Sequence, residues 1–195
     1  YGATVFAKDN WPRYYKSFGG LHSGWDFNAE KGDEVKARVE GTIYGFNQFG
    51  DELPNVVIIP SEFGIGQDAI DAFNRGAALA IGFSNTEGDL SLFHRGDFIA
   101  INSIIGHINN LENNQHLHLS VYQQDPSGFI IYNPIQFFPS AVQNSMSEKA
   151  KSYKGGYAPS ESPSSMRQFH TTPRDGPVYW NLSIDQAVKL IQIVR

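Results

Sequence analysis

Short runs of alternating or β-branched apolar residues dominate the hydrophobic pattern of this chain. Residues 34–40 alternate between polar and apolar side chains, which is the two-residue period of a half-buried strand. Further strands are predicted at residues 41–45, 55–60, 98–105, 116–122 and 128–132. Because Gly, Asn and Asp separate these runs, we predict a mostly β, antiparallel, sandwich-like domain.

One segment interrupts the strand pattern with helical spacing. In residues 67–75, Ile70 and Phe73 are three positions apart, and Gly76 follows as a helix stop. We predict a short inserted helix here. It forms either a surface excursion or one wall of a substrate groove.

The domain organisation is predicted from a change in composition after Pro139. We expect a lead-in over residues 1–17, a folded domain over 18–140, and a Ser/Gly/Pro-rich linker with a C-terminal extension over 141–195. The extension ends in a predicted helix at 183–195, where Ser183 and Gln186 form a capping box. The apolar stripe of this helix docks on its own domain or on a second domain or subunit.

Composition excludes several classes of function and of site. The 195-residue chain has a net charge of −5 and no basic stripe, which argues against nucleic acid as a partner. No apolar run approaches the roughly 20 residues of a membrane span. With no cysteine in the sequence, disulfides and thiolate zinc sites are excluded, so His, Asp and Glu remain as metal donors.

Two histidine-containing motifs carry the candidate chemistry. His22 and Asp26 are four residues apart, and His116 and His118 follow about ninety residues later in a predicted strand. Side chains at even spacing share one face of a strand, so each pair projects together. The two motifs offer two imidazoles and a carboxylate for one zinc ion, with a further imidazole beside it, and a catalytic zinc site needs three protein donors.

These motifs and their flanking segments resemble the lysostaphin-like zinc metallopeptidases, also called LytM-type endopeptidases. The similar segments are residues 18–29, 32–43, 95–99, 104–106, 116–121 and 133–138. They occur in the family's order, and the resemblance extends from residue 18 to residue 138. It implies a lysostaphin/LytM-type fold with the helical insert and the C-terminal extension added to it.

The resemblance also implies the roles of the site residues. His22, Asp26 and His118 match the family's zinc ligands, and His116 matches a catalytic histidine that acts as general base or orients the water. The implied activity is hydrolysis of peptide bonds in bacterial cell-wall peptidoglycan. A secreted, periplasmic or cell-surface location follows from that substrate, and Tyr1 in place of Met is compatible with a trimmed chain. Trp25 is a candidate for lining the substrate groove.

The sequence departs from the family pattern at one catalytic position. Active members carry another histidine in a central strand, whereas residues 80–85 contain none. His94 or His107 is a candidate substitute from a different part of the chain. The alternative is a catalytically degenerate, metal-binding module that binds a partner or peptidoglycan without cleaving it. Zinc-dependent hydrolysis of an unrelated amide or ester is a third possibility.

Overall fold

The structure is a computed structural model that describes residues 22–46, 56–84, 86–87, 92–109, 115–126, 128–144 and 168–170. The predicted lead-in at 1–17 and the predicted helix at 183–195 lie outside these residues. The domain boundaries drawn from composition stay predictions.

Strands are the commonest regular element in the described part of the chain. They are β1 (Gly24–Asn28), β2 (Glu34–Lys36), β3 (Gly41–Phe46), β4 (Val56–Pro60), β5 (Leu79–Ser84), β6 (Thr86–Glu87), β7 (Phe98–Ile99), β8 (Ile104–Ile108), β9 (His116–Asp125), β10 (Gly128–Tyr132) and β11 (Gln168–His170). Helix α1 (Gln67–Asn74) lies between β4 and β5, and two 3₁₀ turns form at Ser61–Phe63 and Pro134–Phe137. None of the helices in the described ranges is long and apolar enough to cross a membrane.

The strands build two sheets. The large sheet has the order β11-β10-β9-β5-β4-β3-β7, and β1 joins it by pairing with β9. The small sheet has the order β2-β8-β6. Every pairing is antiparallel except that of β10 with β11, which is parallel. The prediction of a mostly antiparallel β fold with a short helical insert is therefore confirmed.

Strand β9 is the centre of the large sheet because three strands pair with it. On one side, β5 pairs along residues 118–123. On the other side, β1 pairs with residues 116–120 and β10 with residues 121–125. The first half of β9 is therefore fixed between β1 and β5, and this half contains both histidines of the second motif.

The two faces of the large sheet pack against different partners. We call the face that carries His116, His118, Ser120 and Tyr122 the front face, and the opposite one the back face. On the back face, Leu119 and Val121 join one core cluster with residues of β2 and β8, so the small sheet covers this face. On the front face, Tyr122 joins a second cluster with Ile70 and Phe73 of α1. Helix α1 therefore lies on the same face as the histidines of β9.

The inserted helix ends as the sequence predicts. Gly76 adopts a φ of 73°, and its N–H donates to the carbonyl oxygen of Phe73 at 2.8 Å. A positive φ is easily adopted by glycine, which has no Cβ, so Gly76 reverses the chain into β5 without strain. The helix buries Ile70 and Phe73 against the sheet. Its role as a groove wall stays a prediction.

The prediction of one strand over residues 98–105 is wrong. The segment forms two strands, β7 in the large sheet and β8 in the small sheet, with a turn between them. Asn102 takes a φ of 68° in this turn, and the N–H of Ser103 donates to the carbonyl oxygen of Ala100 at 3.2 Å. Asn tolerates this left-handed conformation better than most residues, so a single polar pair breaks an otherwise apolar run.

Candidate metal centre

The pairing of β1 with β9 brings the two sequence motifs together. In the antiparallel register, Asp26 lies opposite His118, and Gly24 lies opposite Ser120. Residues opposite each other project from the same face of a sheet, so Asp26 and His118 meet on the front face. His22 lies just before β1, four residues from Asp26. A strand pairing over about ninety residues of sequence thus assembles the candidate site.

The Asp26 carboxylate is the centre of a histidine cluster. Its Oδ2 is 3.4 Å from Nε2 of His22, and its Oδ1 is 2.8 Å from Nδ1 of His118. Nε2 of His116 is 3.5 Å from the same Oδ1. The rings of His22 and His118 meet edge to face, with centroids 4.8 Å apart. The three histidines predicted from the motifs therefore converge on the Asp26 carboxylate.

Three of these side chains form a set that fits a metal ion. One donor atom from each of His22, Asp26 and His118 lies within 4.8 Å of the other two. With zinc bonds of about 2.0–2.1 Å, the donors of a tetrahedral site are separated by about 3.4 Å. The separation of 3.4 Å between His22 and Asp26 equals that value. Two imidazoles and a carboxylate are also donors that zinc binds, so the residues fit this ion.

Burial and charge keep the donors in the protonation states that a metal requires. Burial lowers the pKa of His22 to about 4, although the neighbouring Asp26 opposes this shift. For Asp26, burial alone would raise the pKa, but His22 and the hydrogen bond from His118 hold it well below its ordinary value. Near neutral pH, His22 is therefore neutral and Asp26 is ionised, and metal binding needs both.

The ring of His118 is held at both nitrogens. Nδ1 faces Asp26, whereas Nε2 is 2.9 Å from Oγ of Ser120 and 3.2 Å from Oγ of Ser23. Both serines are buried, with exposures of 0% and 2%. A Cβ atom added to Gly24 would lie 2.7 Å from this Nε2, so the ring is packed tightly here. Nδ1 is consequently the atom that His118 can offer to a metal ion.

The other predicted site residues lie in different surroundings. Trp25 projects from the back face, where it packs against the core, and its Nε1–H donates to Oδ1 of Asn133 at 2.7 Å. His94 is exposed in a turn, 3.4 Å from Oδ2 of Asp97. His107 is exposed on β8 of the small sheet. None of the three belongs to the three-donor group found among the described residues. Their predicted roles are untested.

Sequence reasoning missed the serines around His118. Ser120 follows His118 by two residues in the same strand, so strand parity alone places it on the histidine face. Ser23 has no such signal, because it lies before β1 and reaches His118 only through the pairing of two strands. On the other side of β9, Ser84 of β5 lies directly opposite His118 and is also buried.

The chain is similar to several solved structures of known proteins. The sequence matches no protein-family model and no curated protein. The catalytic domain of the antimicrobial peptidase lysostaphin from Staphylococcus simulans is 20% identical over 55% of this chain and 71% of that domain, with a TM-score of 0.39. A solution structure of lysostaphin is 20% identical over 64% of this chain, with a TM-score of 0.41. Helicobacter pylori Csd3 is 18% identical over 68% of this chain, with a TM-score of 0.38.

The extent of these similarities is limited. The chain spans 43% of the lysostaphin solution structure and 33% of Csd3. Lysostaphin gives its name to the family whose motifs the sequence resembles. At TM-scores of 0.38 to 0.41, the functional inference depends on the side chains of this chain.

Proposed function

We propose that this protein is a zinc-dependent endopeptidase that hydrolyses peptide bonds in bacterial cell-wall peptidoglycan. The observation that carries the proposal is the convergence of His22, Asp26 and His118 on one face of the sheet, with a further imidazole beside them. The metal chemistry is supported by this donor set. The substrate class is supported by the resemblance of the two motifs to those of the lysostaphin-like peptidases. Such a substrate implies action outside the cytoplasm, in a secreted, periplasmic or cell-surface protein.

The proposed metal ligands have clear tasks. His22, Asp26 and His118 would hold one Zn²⁺ and leave a fourth position open to water or substrate. Bound zinc polarises the scissile carbonyl and lowers the pKa of its water to roughly 7. His22 and His118 are buried and the Asp26 side chain is 16% exposed, so the low local dielectric would strengthen their electrostatic interactions.

His116 is the proposed general base. It lies two residues before His118 on the front face, and its side chain is 12% exposed. Imidazole is the side chain that most often serves as a general base, so His116 would accept the proton of the attacking water and pass it to the leaving amine. Oδ1 of Asp26 lies 3.5 Å from Nε2 of His116.

A second function is favoured by the composition of β5. The β5 residues next to the first half of β9 on the front face are Gly82 and Ser84, and β5 contains no imidazole. If no other group replaces the missing histidine, the protein is a metal-binding module that binds peptidoglycan or a partner without cleaving it. His94 and His107 are the candidate replacements. Substituting each with alanine tests this, since an unchanged rate of hydrolysis removes that residue from consideration.

Two measurements decide between these functions. Metal analysis of the purified protein and of Asp26→Asn should show about one zinc per wild-type chain and none in the variant. Release of soluble fragments from purified cell walls, with and without a chelator, then separates hydrolysis from binding. Bound zinc without fragment release would favour the binding module. Absence of metal from the wild type would contradict both functions.

A further inference from the structure

Nε2 of His118 is enclosed where β1 pairs with β9. Ser120 and Gly24 face each other in the register of β1 with β9, and Ser23 adjoins Gly24. A Cβ on Gly24 would come within 2.1 Å of the carbonyl oxygen of Leu119, so the two backbones are in close contact here. There is no room for a metal ion on this side of the ring. The two serine hydroxyls are the hydrogen-bond partners of Nε2.

The identity of these partners matters because His118 needs two different tautomers. When Nδ1 donates a hydrogen bond to Asp26, the proton is on Nδ1 and Nε2 must accept a hydrogen bond. When Nδ1 gives its lone pair to a metal ion, the proton is on Nε2, which must then donate. A backbone carbonyl or a carboxylate could partner only the second form. A hydroxyl can donate or accept by rotating, so it satisfies both forms.

We propose that Ser120, assisted by Ser23, is a positioning residue that holds His118 with Nδ1 towards the metal site in both tautomers. This inference rests on the proposed metal site. The serine hydroxyls turn from donors into acceptors while the ring keeps its position. Because the ring does not have to flip, metal uptake requires no movement of β9.

The alternative role for these serines is simple packing. Ser120 is fully buried, and a small side chain opposite Gly24 fits the close contact between strands. Alanine would satisfy that requirement as well as serine, because it lacks only the hydroxyl. The hydroxyl itself is explained by its 2.9 Å contact with Nε2. The two roles therefore differ in what Ser120→Ala does to the His118 ring.

The test is nitrogen NMR of the whole chain with isotope-labelled histidine, in excess chelator and with one equivalent of zinc. In the wild type, we expect the His118 proton on Nδ1 in chelator and on Nε2 with zinc. Ser120→Ala should keep the proton on Nδ1 in chelator, because Asp26 still accepts it, but should shift the Nε2 resonance, because the hydrogen bond from the hydroxyl is lost. It should also weaken zinc binding by about 10- to 100-fold, as loss of a partner to a ligand does. The double variant with Ser23→Ala should weaken it further.

Ser84→Ala is the matched control, because Ser84 is equally buried and lies opposite His118 on β5, outside the hydroxyl pair at Nε2. It should leave the tautomer of His118 unchanged and the zinc affinity within about twofold of wild type. A wild-type Nε2 resonance and wild-type zinc affinity in folded Ser120→Ala would overturn the serine inference alone. A wild-type His118 with its proton on Nε2 in chelator would also overturn it. A wild-type chain that takes up no zinc would overturn the proposed function together with this inference.

Discussion

Residues 118–121 of β9 are buried on both faces of the large sheet, but the side chains on one face are apolar and those on the other are polar. On the back face, Leu119 and Val121 are buried between the two sheets. On the front face, His118 and Ser120 are 7% and 0% exposed, so burial does not distinguish the faces. Burying apolar groups stabilises the fold, whereas burying imidazoles and a carboxylate at best offsets the cost of their desolvation. Burial of Leu119 and Val121 therefore contributes to stability, whereas the histidine cluster of the front face needs another explanation, which the proposed metal site would provide.

The largest expected effect is the loss of zinc binding in His118→Ala. This substitution removes one of three ligands, so we expect affinity to fall by more than about 100-fold, beyond the loss for a partner of a ligand. Leu119→Ala, one residue away on the back face, should keep zinc affinity but lower the free energy of unfolding by about 2–5 kcal/mol. Competition with a chelating dye and urea denaturation measure the two quantities. A loss of zinc affinity in folded Leu119→Ala would contradict this division of roles.

Replacing His116 should separate catalysis from metal binding within the front face. His116→Ala removes the proposed general base, and we expect hydrolysis of cell walls to slow by about 10²- to 10⁴-fold. Zinc content should remain that of the wild type, because the three ligands are intact. Rates of fragment release and metal analysis of the same preparation provide the measurement. If zinc is lost together with activity, His116 is a ligand and not the base.

The strand pattern predicted the two faces of β9 but not their neighbours. Alternation placed His116 and His118 together on one face, because side-chain direction is a local property of a strand. The matched motifs predicted the grouping of His22, Asp26 and His118, whose donor atoms lie together. The choice of β1 and β5 as partners depends on long-range pairing, which no local pattern encodes.

Two features were not predicted from the sequence: the contact of Ser23 with His118, and the division of residues 98–105 between two sheets. The interaction of Ser23 with His118 spans 95 residues and exists only in the register of β1 with β9. The division of residues 98–105 between two sheets depends on the positive φ of Asn102. Asparagine tolerates that conformation but does not require it, so composition alone left one continuous strand as the simpler prediction.

A smaller loss of stability and of zinc affinity is expected at Gly24, where β1 and β9 are in closest contact. Gly24→Ala would put a Cβ 2.1 Å from the carbonyl oxygen of Leu119, which the backbone must move to accommodate. We expect a loss of about 3 kcal/mol in unfolding free energy, together with weaker zinc binding, because β1 carries Asp26. In the control Gly82→Ala, the nearest atom is 3.0 Å away, on the ring of Tyr122. It should cost less and preserve zinc affinity. Equal effects of the two substitutions would contradict the proposed close contact.

The smallest effect expected is a dependence of stability on pH that comes from His22 on the front face. The pKa of His22 is lowered to about 4 in the folded chain, below its ordinary value of 6.5, so the unfolded chain binds more protons between these values. Stability is therefore full above pH 6.5 and falls as the pH drops towards 4. Between about pH 7 and about pH 4.5, the loss is about 2 kcal/mol. Asp26, whose pKa is lowered below 3.8, adds a further loss only in stronger acid. Urea denaturation in excess chelator should detect the first loss in the wild type and in Leu119→Ala, but little of it in His22→Asn. A loss of equal size in His22→Asn would assign the acid sensitivity to groups outside the site.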